Sequence, residues 1–344
     1  MGFFNKISSR DTLDEALAKK SGQSTISNKT VNKIKEKIKG ENTLIAKQAA
    51  YYSVRDNPEF KSTHQSIVDV FRDAMLNDSL NLIESKLAAN EQPDMDINFI
   101  DEIYLPEIIE GIKSKRKVVN LYYFGSIDEL LSKALKGGIG TRAQAVVLMR
   151  RRGDISQHHF AAVDFIKKDN KNFFIFYESA FISGSPDNGS DYGFRELKKQ
   201  LTTLTAKNHT LRVAYVEVGV QASPADCGIF ALSFVSTLSK KPHTSLSMLK
   251  MIKEDQLVTQ IYQGDSYARA APWKKCVGLP IEFLKHGHSV TRLMKNLEQE
   301  ENVNYAIKVG EKALSRTVTR GNLSYSNSIE LKRQAFYKKL NRNG

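Results

Sequence analysis

Cysteine is scarce in this chain, whose 344 residues include only Cys227 and Cys276. Two distant cysteines cannot form a disulfide framework, and the sequence contains no C-x-x-C or H-E-x-x-H spacing typical of zinc ligands. We therefore expect no metal site, and a protein that works in a reducing compartment.

Long apolar runs are also lacking. No stretch approaches the roughly 20 apolar residues that a membrane-spanning helix needs, so no membrane span is expected. The first residues do not contain the apolar core of a cleaved secretory signal. With 41% hydrophobic and 26% charged residues, the composition is typical of a globular protein with one large domain or two modest ones.

The charge is not balanced: 51 lysines and arginines against 38 acidic residues give a net charge of +13. Such an excess favours acidic partners. We expect no nucleic acid among them, because helix-turn-helix, zinc-finger and aromatic-platform signatures are missing. Phosphorylated small molecules remain as the alternative.

The residues around Cys227 point to chemistry. A polar turn from Gln221 to Asp226 leads into the cysteine, and an apolar run with helical spacing follows from Ile229 to Leu238. Cys227 is therefore expected at a helix start, where free backbone N–H groups and the helix dipole favour a thiolate. Pro224 and Asp226 are expected in the first turn and at the cap. The alternative is a buried structural cysteine that opens a core helix.

Two β-rich runs, 159–166 and 173–178, flank the polar turn 168–171 and predict a hairpin. Its midpoint places His159 opposite or nearly opposite Glu178, within reach of a hydrogen bond. The same register puts four apolar residues on one face, namely Ala161, Val163, Phe174 and Phe176. A slip of one residue would bring His158 or Phe160 to the position of His159.

A cysteine nucleophile needs a base and a group that orients the base. His159 is the candidate base, Glu178 the orienting carboxylate, and Gln221 a candidate donor to an oxyanion. The product would be an acyl-enzyme thioester, and the acceptor of the acyl group decides between a hydrolase and a transferase. His158 is the alternative base, and Asp164 is expected on the face of the hairpin that points away from Cys227.

The chain divides into four segments by composition and periodicity. We expect a disordered polar leader over 1–27, a helical segment over 28–95, a catalytic core over 96–255 and a basic, mostly helical segment over 256–344 that packs with the N-terminal helices.

Individual helices are predicted in three of these segments. The N-terminal segment is expected to hold helices over 30–39 and 63–90, and the core a helix that opens at Leu105–Pro106 and another that is capped by Ser126. The C-terminal helix, 330–340, is expected to turn its apolar residues inward and its basic residues outward. The inward set is Leu331, Ala335, Phe336 and Leu340, and the outward set is Lys332, Arg333, Lys338 and Lys339.

Four spaced motifs occur in a characteristic order: His159-Phe-x-x-Val-Asp, Phe-x-x-Phe-x-Glu178, Gln221-x-x-x-x-Asp-Cys227-Gly-Ile-Phe and Leu279-Pro-Ile-Glu-Phe-Leu-Lys285-His. Over residues 95 to 340 this arrangement resembles the YopJ family of bacterial type III effector acetyltransferases. Leu284 departs from the tyrosine that the family usually has there.

The resemblance implies an α+β fold: a core like that of ubiquitin-like-protein proteases, with a mixed sheet flanked by helices, and a helical regulatory part from the two ends of the chain. It implies transfer of acetyl from acetyl-CoA through Cys227 to Ser, Thr or Lys of host signalling or immune proteins. It also implies activation by inositol hexakisphosphate and secretion into the host cell. Lys285 matches the family's self-acetylated lysine.

A compact polyphosphate needs several converging basic side chains. From charge alone, the candidates for this site are Arg316, Arg320, Lys332 and Arg333.

Two other functions are open. The same triad would serve a cysteine protease that cleaves ubiquitin-like modifiers. Such proteases usually have Trp after the catalytic His and Asp as the third member of the triad, whereas this chain has Phe160 and Glu178. The third hypothesis is a non-catalytic basic binding module in which Cys227 is structural.

Overall fold

The computed structural model describes residues 48, 51–52, 65–92, 96–149, 159–180, 210–254, 259–263, 266–269, 279–320 and 323–342. These form the mixed α+β fold that was expected. The predicted leader over 1–27 and the predicted helix over 30–39 lie outside the described residues.

Among the described elements, the first half of the fold begins with two helices and ends with four successive strands. In chain order the elements are α1 (Gln65–Ala88), α2 (Asp96–Arg116), β1 (Leu121–Phe124), α3 (Ile127–Leu135), β2 (Arg142–Leu148), β3 (Phe160–Lys168), β4 (Lys171–Glu178) and β5 (Leu211–Glu217).

The second half is mainly helical. Its elements are α4 (Cys227–Lys240), α5 (Pro242–Lys253), β6 (Thr259–Gln263), β7 (Ser266–Arg269), α6 (Ile281–Leu284), α7 (Val290–Leu297), α8 (Val303–Leu314), β8 (Thr317–Arg320), β9 (Leu323–Ser326) and α9 (Ser328–Arg342).

Strands β1 to β7 form one sheet in chain order. The β1–β2 and β4–β5 pairs are parallel and the other neighbours are antiparallel. One face of the sheet packs in the same core as α1, α2 and α4, and the other face packs with α3. Strands β8 and β9 form a separate hairpin.

The β3–β4 hairpin turns at Asp169 and Asn170, whose φ angles of 51° and 56° are those of a tight two-residue turn. The predicted apolar face is confirmed, because Ala161, Val163, Phe174 and Phe176 share one core layer. The register places Ala162 level with Tyr177. His159 is therefore diagonal to Glu178 rather than directly opposite it.

One of two helices predicted in the first half of the chain has the expected bounds, and the other does not. Helix α1 runs over 65–88, inside the predicted 63–90. Helix α2 begins at Asp96 and carries Pro106 in its interior, so the predicted start at residue 105 is wrong. A proline removes one backbone hydrogen bond from a helix, but the buried residues on both sides of Pro106, among them Ile100, Tyr104 and Ile108, hold the helix together.

Helix α3 has the predicted cap. The Ser126 hydroxyl accepts a hydrogen bond from the backbone N–H of Glu129 at 3.2 Å, and the Glu129 carboxylate accepts from the backbone N–H of Gly125 at 3.0 Å. Gly137, with φ of 78°, follows the C-terminal end of the helix. Both ends agree with the prediction.

The orientation predicted for the C-terminal helix is wrong in part. Helix α9 buries Ile329, Arg333 and Tyr337, while Ala335 is exposed. A pattern based on apolar side chains alone cannot anticipate a buried arginine, which is tolerated only when acidic partners surround it.

The predicted division into segments stays a prediction. Helix α9 packs beside α1, with an ion pair of 2.7 Å between Lys338 and Glu84. Strands β6 and β7 extend the core sheet past residue 255. Among the described residues, no helix has the length and apolar character needed to cross a bilayer.

Candidate active site

Cys227 is the first residue of α4, as its sequence context predicted. The chain that leads to it is fastened to the end of β4: the backbone N–H of Val218 donates to the Glu178 carbonyl, and those of Val220 and Gln221 donate to the Ser179 carbonyl, all at 2.7 to 2.8 Å. These bonds place the turn before Cys227 beside Glu178.

His159 lies directly before β3, and its backbone carbonyl accepts a hydrogen bond from Met149 at 2.7 Å. Its Nε2 lies 2.5 Å from Oε2 of the fully buried Glu178. The imidazole also makes a side-chain hydrogen bond with Cys227. Because Nε2 is taken by Glu178, Nδ1 is the ring nitrogen left for the sulfur.

Glu178 is held in place on both of its oxygens. Oε2 accepts a second hydrogen bond, from the Tyr215 hydroxyl at 3.0 Å, and Oε1 accepts from the backbone N–H of Ala180 at 2.9 Å. A carboxylate with this many donors keeps a fixed orientation and can in turn fix the ring of His159.

The electrostatics favour a charged imidazole. Burial disfavours the imidazolium, but the charge of Glu178 and hydrogen bonds with Cys227 and Glu178 outweigh it and raise the pKa of His159 well above its ordinary value. An imidazole with a raised pKa holds a proton taken from a neighbouring thiol.

The candidate nucleophile is deeply buried. Cys227 is 1% exposed, whereas the His159 side chain keeps 11% of its exposure. The imidazole is therefore the part of this group that reaches solvent.

Gln221 stands at the start of the turn with its side-chain amide oriented. Its Oε1 accepts from the Ser179 hydroxyl and its Nε2 donates to the Ser223 carbonyl, each at 2.5 Å. One N–H of the amide thus remains for another acceptor, and the oxyanion role of Gln221 stays a prediction.

Asn98 is a site residue that sequence reasoning missed. It is buried in α2, where its Nδ2 donates to the Pro224 carbonyl at 2.8 Å and its Oδ1 accepts from the Cys227 thiol at 3.6 Å. Only the tertiary approach of α2 to the cysteine turn brings it there, and no local pattern signals it.

Two local expectations about the turn are wrong. Asp226 occupies the cap position of α4, but its side chain makes no capping hydrogen bond. It pairs instead with Arg333, at 2.6 Å, because this buried arginine is a stronger partner than a backbone N–H. Pro224 lies ahead of the helix, not in its first turn.

Asp164 also differs from expectation. It lies on the same face of β3 as Ala162 and Ile166, which pack in the core layer of α4, so the predicted face is wrong. Its carboxylate accepts hydrogen bonds from Gln144 and Ser245.

Asp226, His288 and Glu330 are three buried residues with potential metal-ligand atoms within 4.8 Å of one another. His288 Nδ1 accepts from the backbone N–H groups of Ala222, at 2.8 Å, and Ser223, at 3.3 Å. Those two donors assign the ring hydrogen to Nε2, which lies 3.4 Å from Asp226 Oδ2. A nitrogen that carries hydrogen cannot ligate a metal, so His288 in this tautomer offers no metal-ligand atom to the group.

Arg333 corrects a sequence-based expectation. Its side chain is 0% exposed and forms ion pairs with Asp101, at 2.9 Å, and Asp226, at 2.6 Å. These carboxylates raise its pKa further, although burial acts against them. A guanidinium committed in this way is not available to a polyphosphate.

The other predicted anion-site residues are placed differently. Arg316 and Lys332 lie near His286, together with Lys285 and Lys312. We call these four residues the basic cluster. Burial and then these four charges lower the pKa of His286 well below its ordinary value. The side chain of Arg320 is outside the described residues, as are His158 and Cys276.

Two lysines of the basic cluster have perturbed pKa values. Burial, reinforced by Lys285, Lys240 and Arg116, lowers the pKa of Lys332 to about 7, and the amine donates to Ser233 at 2.6 Å. Burial also lowers the pKa of Lys285, despite nearby Glu282. The segment that carries Lys285 adjoins the cysteine turn, because the backbone N–H of His288 donates to the Val220 carbonyl at 3.0 Å.

A cysteine at a helix N-terminus, paired with a histidine that a buried carboxylate orients, is an arrangement found in thiol enzymes that form acyl intermediates. The particular family follows from comparison: the model described as "YopJ Serine/Threonine acetyltransferase" matches residues 76–339. The chain belongs to this family, and the resemblance seen in its motifs is confirmed.

Solved structures agree on the fold. A deletion variant of AvrA with IP6 and CoA is 22% identical, with a TM-score of 0.62 over 78% of this chain and 98% of that chain. HopZ1a with IP6 is 15% identical, with a TM-score of 0.57 over 79% of this chain and 96% of that chain. HopZ1a with IP6 and CoA, also 15% identical, has a TM-score of 0.54 over 78% and 98%. A search of curated proteins found no match.

Proposed function

We propose that this acetyltransferase takes acetyl from acetyl-CoA onto Cys227 as a thioester and passes it to a serine, threonine or lysine of a host protein. The observation that carries the proposal is the hydrogen-bonded series Cys227, His159 and Glu178 in a chain of this family. It supports a ping-pong reaction in which one imidazole serves both half-reactions.

In the first half-reaction His159 takes the thiol proton and the sulfur attacks the acetyl carbonyl. The oxygen of the tetrahedral intermediate needs donors, which the free N–H of Gln221 and backbone N–H groups at the start of α4 can supply. Collapse of the intermediate breaks the bond to the CoA sulfur, and the imidazolium returns the proton to that sulfur.

In the second half-reaction the acceptor hydroxyl or amine gives its proton to His159 and attacks the thioester carbonyl. Collapse of that tetrahedral intermediate breaks the bond to the Cys227 sulfur, and the imidazolium returns the proton to that sulfur. Glu178 fixes the ring and stabilises its charge in both steps. Lys285, whose lowered pKa leaves a larger neutral fraction, is our candidate for self-acetylation.

Inositol hexakisphosphate is the proposed activator, and the basic cluster is its proposed site. The charges of Lys285, Lys312, Arg316 and Lys332 repel one another, which a compact polyanion would relieve. CoA and IP6 in the AvrA and HopZ1a structures support both ligands. Family membership supports delivery by a bacterial type III system into the host cell, which a translocation reporter fused to the N-terminal segment would test.

The test of the proposed chemistry uses labelled acetyl-CoA with and without inositol hexakisphosphate. Wild-type protein should gain label, of which neutral hydroxylamine removes the thioester on Cys227 and leaves any amide on Lys285, and Cys227→Ala and His159→Ala should gain none. Hydrolysis of a ubiquitin-like C-terminal reporter in the absence of acetyl-CoA, with no labelling of Cys227, would favour the protease alternative. Salt-sensitive nucleic-acid binding that survives Cys227→Ala would favour a binding module.

A further inference from the structure

Arg333 differs from its basic neighbours because every polar group of its side chain has a partner inside the protein. Nε and Nη2 donate to the two oxygens of Asp101, at 3.2 and 2.9 Å, and Nη1 donates to Asp226 at 2.6 Å. Nη2 also donates to the Ala225 carbonyl at 2.6 Å. One planar guanidinium thus bridges α9, α2 and the turn before the cysteine.

Two of these contacts are immediately next to the nucleophile. Ala225 and Asp226 are the last residues before Cys227, and both are held through a side-chain or carbonyl oxygen. Burial would raise the pKa of Asp226, but Arg333, with help from His288, lowers it to about 2. The carboxylate therefore stays charged and paired with Arg333 at pH values well above 2.

Asp101, the partner of Arg333 on α2, is also held in place by other contacts. Asp101 accepts a third hydrogen bond, from the Tyr337 hydroxyl at 2.6 Å, and its side chain touches the site of Gly228. Helix α2 also places Asn98 against the sulfur of Cys227, one helical turn before Asp101. The face of α2 that holds Arg333 is thus the face that lines the nucleophile.

We infer that Arg333 is a positioning residue for the reaction: by bridging Asp101 to Ala225 and Asp226 it fixes the turn that aims the Cys227 sulfur at His159. The part of this inference that concerns turnover rests on the proposed function. The part that concerns the thiol does not, because alkylation reports the reactivity of Cys227 without any acetyl donor.

A purely structural ion pair predicts different behaviour. Loss of a structural pair lowers stability and leaves the folded fraction with ordinary kinetics, whereas loss of a positioning contact lowers the rate in protein that is still folded. The chain offers a matched control in Tyr337→Phe, which removes a buried partner of Asp101 but leaves each contact of Arg333 with the turn.

The experiment compares wild type, Arg333→Lys, Asp101→Asn and Tyr337→Phe below their melting temperatures. Lysine keeps the charge, but its three donors sit on one nitrogen and cannot span the four acceptor oxygens that the guanidinium reaches. For Arg333→Lys we expect kcat to fall 10- to 100-fold with the KM for acetyl-CoA within threefold, and iodoacetamide to alkylate Cys227 at least fivefold more slowly or with a displaced pH midpoint. Tyr337→Phe should melt earlier but keep kcat and alkylation within twofold.

If Arg333→Lys does not fold, Asp101→Asn decides, with an expected three- to tenfold loss in the alkylation rate. Alkylation of the folded variants at the wild-type rate and pH midpoint would overturn the inference, as would an equal loss in Tyr337→Phe. If wild-type protein shows no acetyl transfer but Cys227 is alkylated more slowly in Arg333→Lys than in wild type, the proposed function is refuted and the positioning role of Arg333 stands.

Discussion

Replacement of Gly228 by alanine is the most direct test of how closely α2 and α4 approach. A Cβ at this position would lie 2.8 Å from Asp101 Oδ2 and 3.2 Å from Leu105 Cδ1, whereas ordinary contacts begin at 3.4 Å. The Asp101 carboxylate cannot rotate aside without the loss of its bonds to Arg333 and Tyr337. The helices must therefore separate by more than half an ångström.

The loss of stability can be estimated from substitutions that overpack other protein cores. Insertion of one carbon into a tightly packed site destabilises by about 1–3 kcal/mol, and the helix propensity of alanine returns less than about 1 kcal/mol in a first helical turn. We expect Gly228→Ala to lower the free energy of unfolding by about 1–2 kcal/mol. At about 2–4 °C per kcal/mol, the shift in melting temperature is easily measured by calorimetry.

Gly111→Ala is the matched control. Gly111 is an exposed residue of α2, and a Cβ there would meet no atom within 4 Å. Alanine should stabilise this position by about 0.5–1 kcal/mol through helix propensity alone. The two variants are thus expected to shift the melting temperature in opposite directions. A melting temperature of Gly228→Ala at or above that of wild type would refute the close approach of the two helices.

Three further predictions concern single groups. Glu178→Gln should lower kcat about 100-fold or more without a change in secondary structure, because the amide cannot stabilise a charged His159; steady-state kinetics and circular dichroism check this. Ser126→Ala should cost about 1 kcal/mol in urea denaturation through loss of the α3 cap, and Ser126→Asp should restore it. Affinity for inositol hexakisphosphate should fall as pH rises through about 7, because Lys332 loses its proton in the free protein and the anion favours the protonated form. In Lys332→Arg, whose side chain stays charged, titration calorimetry should show that the affinity for inositol hexakisphosphate depends less on pH. An equal change of affinity with pH in wild type and variant would contradict the argument.

Features set by neighbouring residues were predictable from the sequence. The alternation in the β3–β4 hairpin gave the correct apolar face, and the cap of α3 was read from Ser126 and Glu129. The hairpin also led to the pairing of His159 with Glu178, because local register alone brings these side chains together.

The features that failed depend on partners far apart in the chain. Arg333 and Asp101 are separated by 232 positions, and each taken alone looks like an ordinary surface charge. The same distance problem hid Asn98, which lies 129 positions from Cys227. A buried polar residue is stabilised by its partners, so its burial cannot be inferred until those partners are known.

The 1% exposure of Cys227 bears on the fate of a loaded enzyme. Water competes with any acceptor for a thioester, and it reaches a buried sulfur far less often than one on an open surface. If Cys227 carries acetyl as proposed, slow loss of that group to water is the expected consequence of burying the residue at which α4 begins.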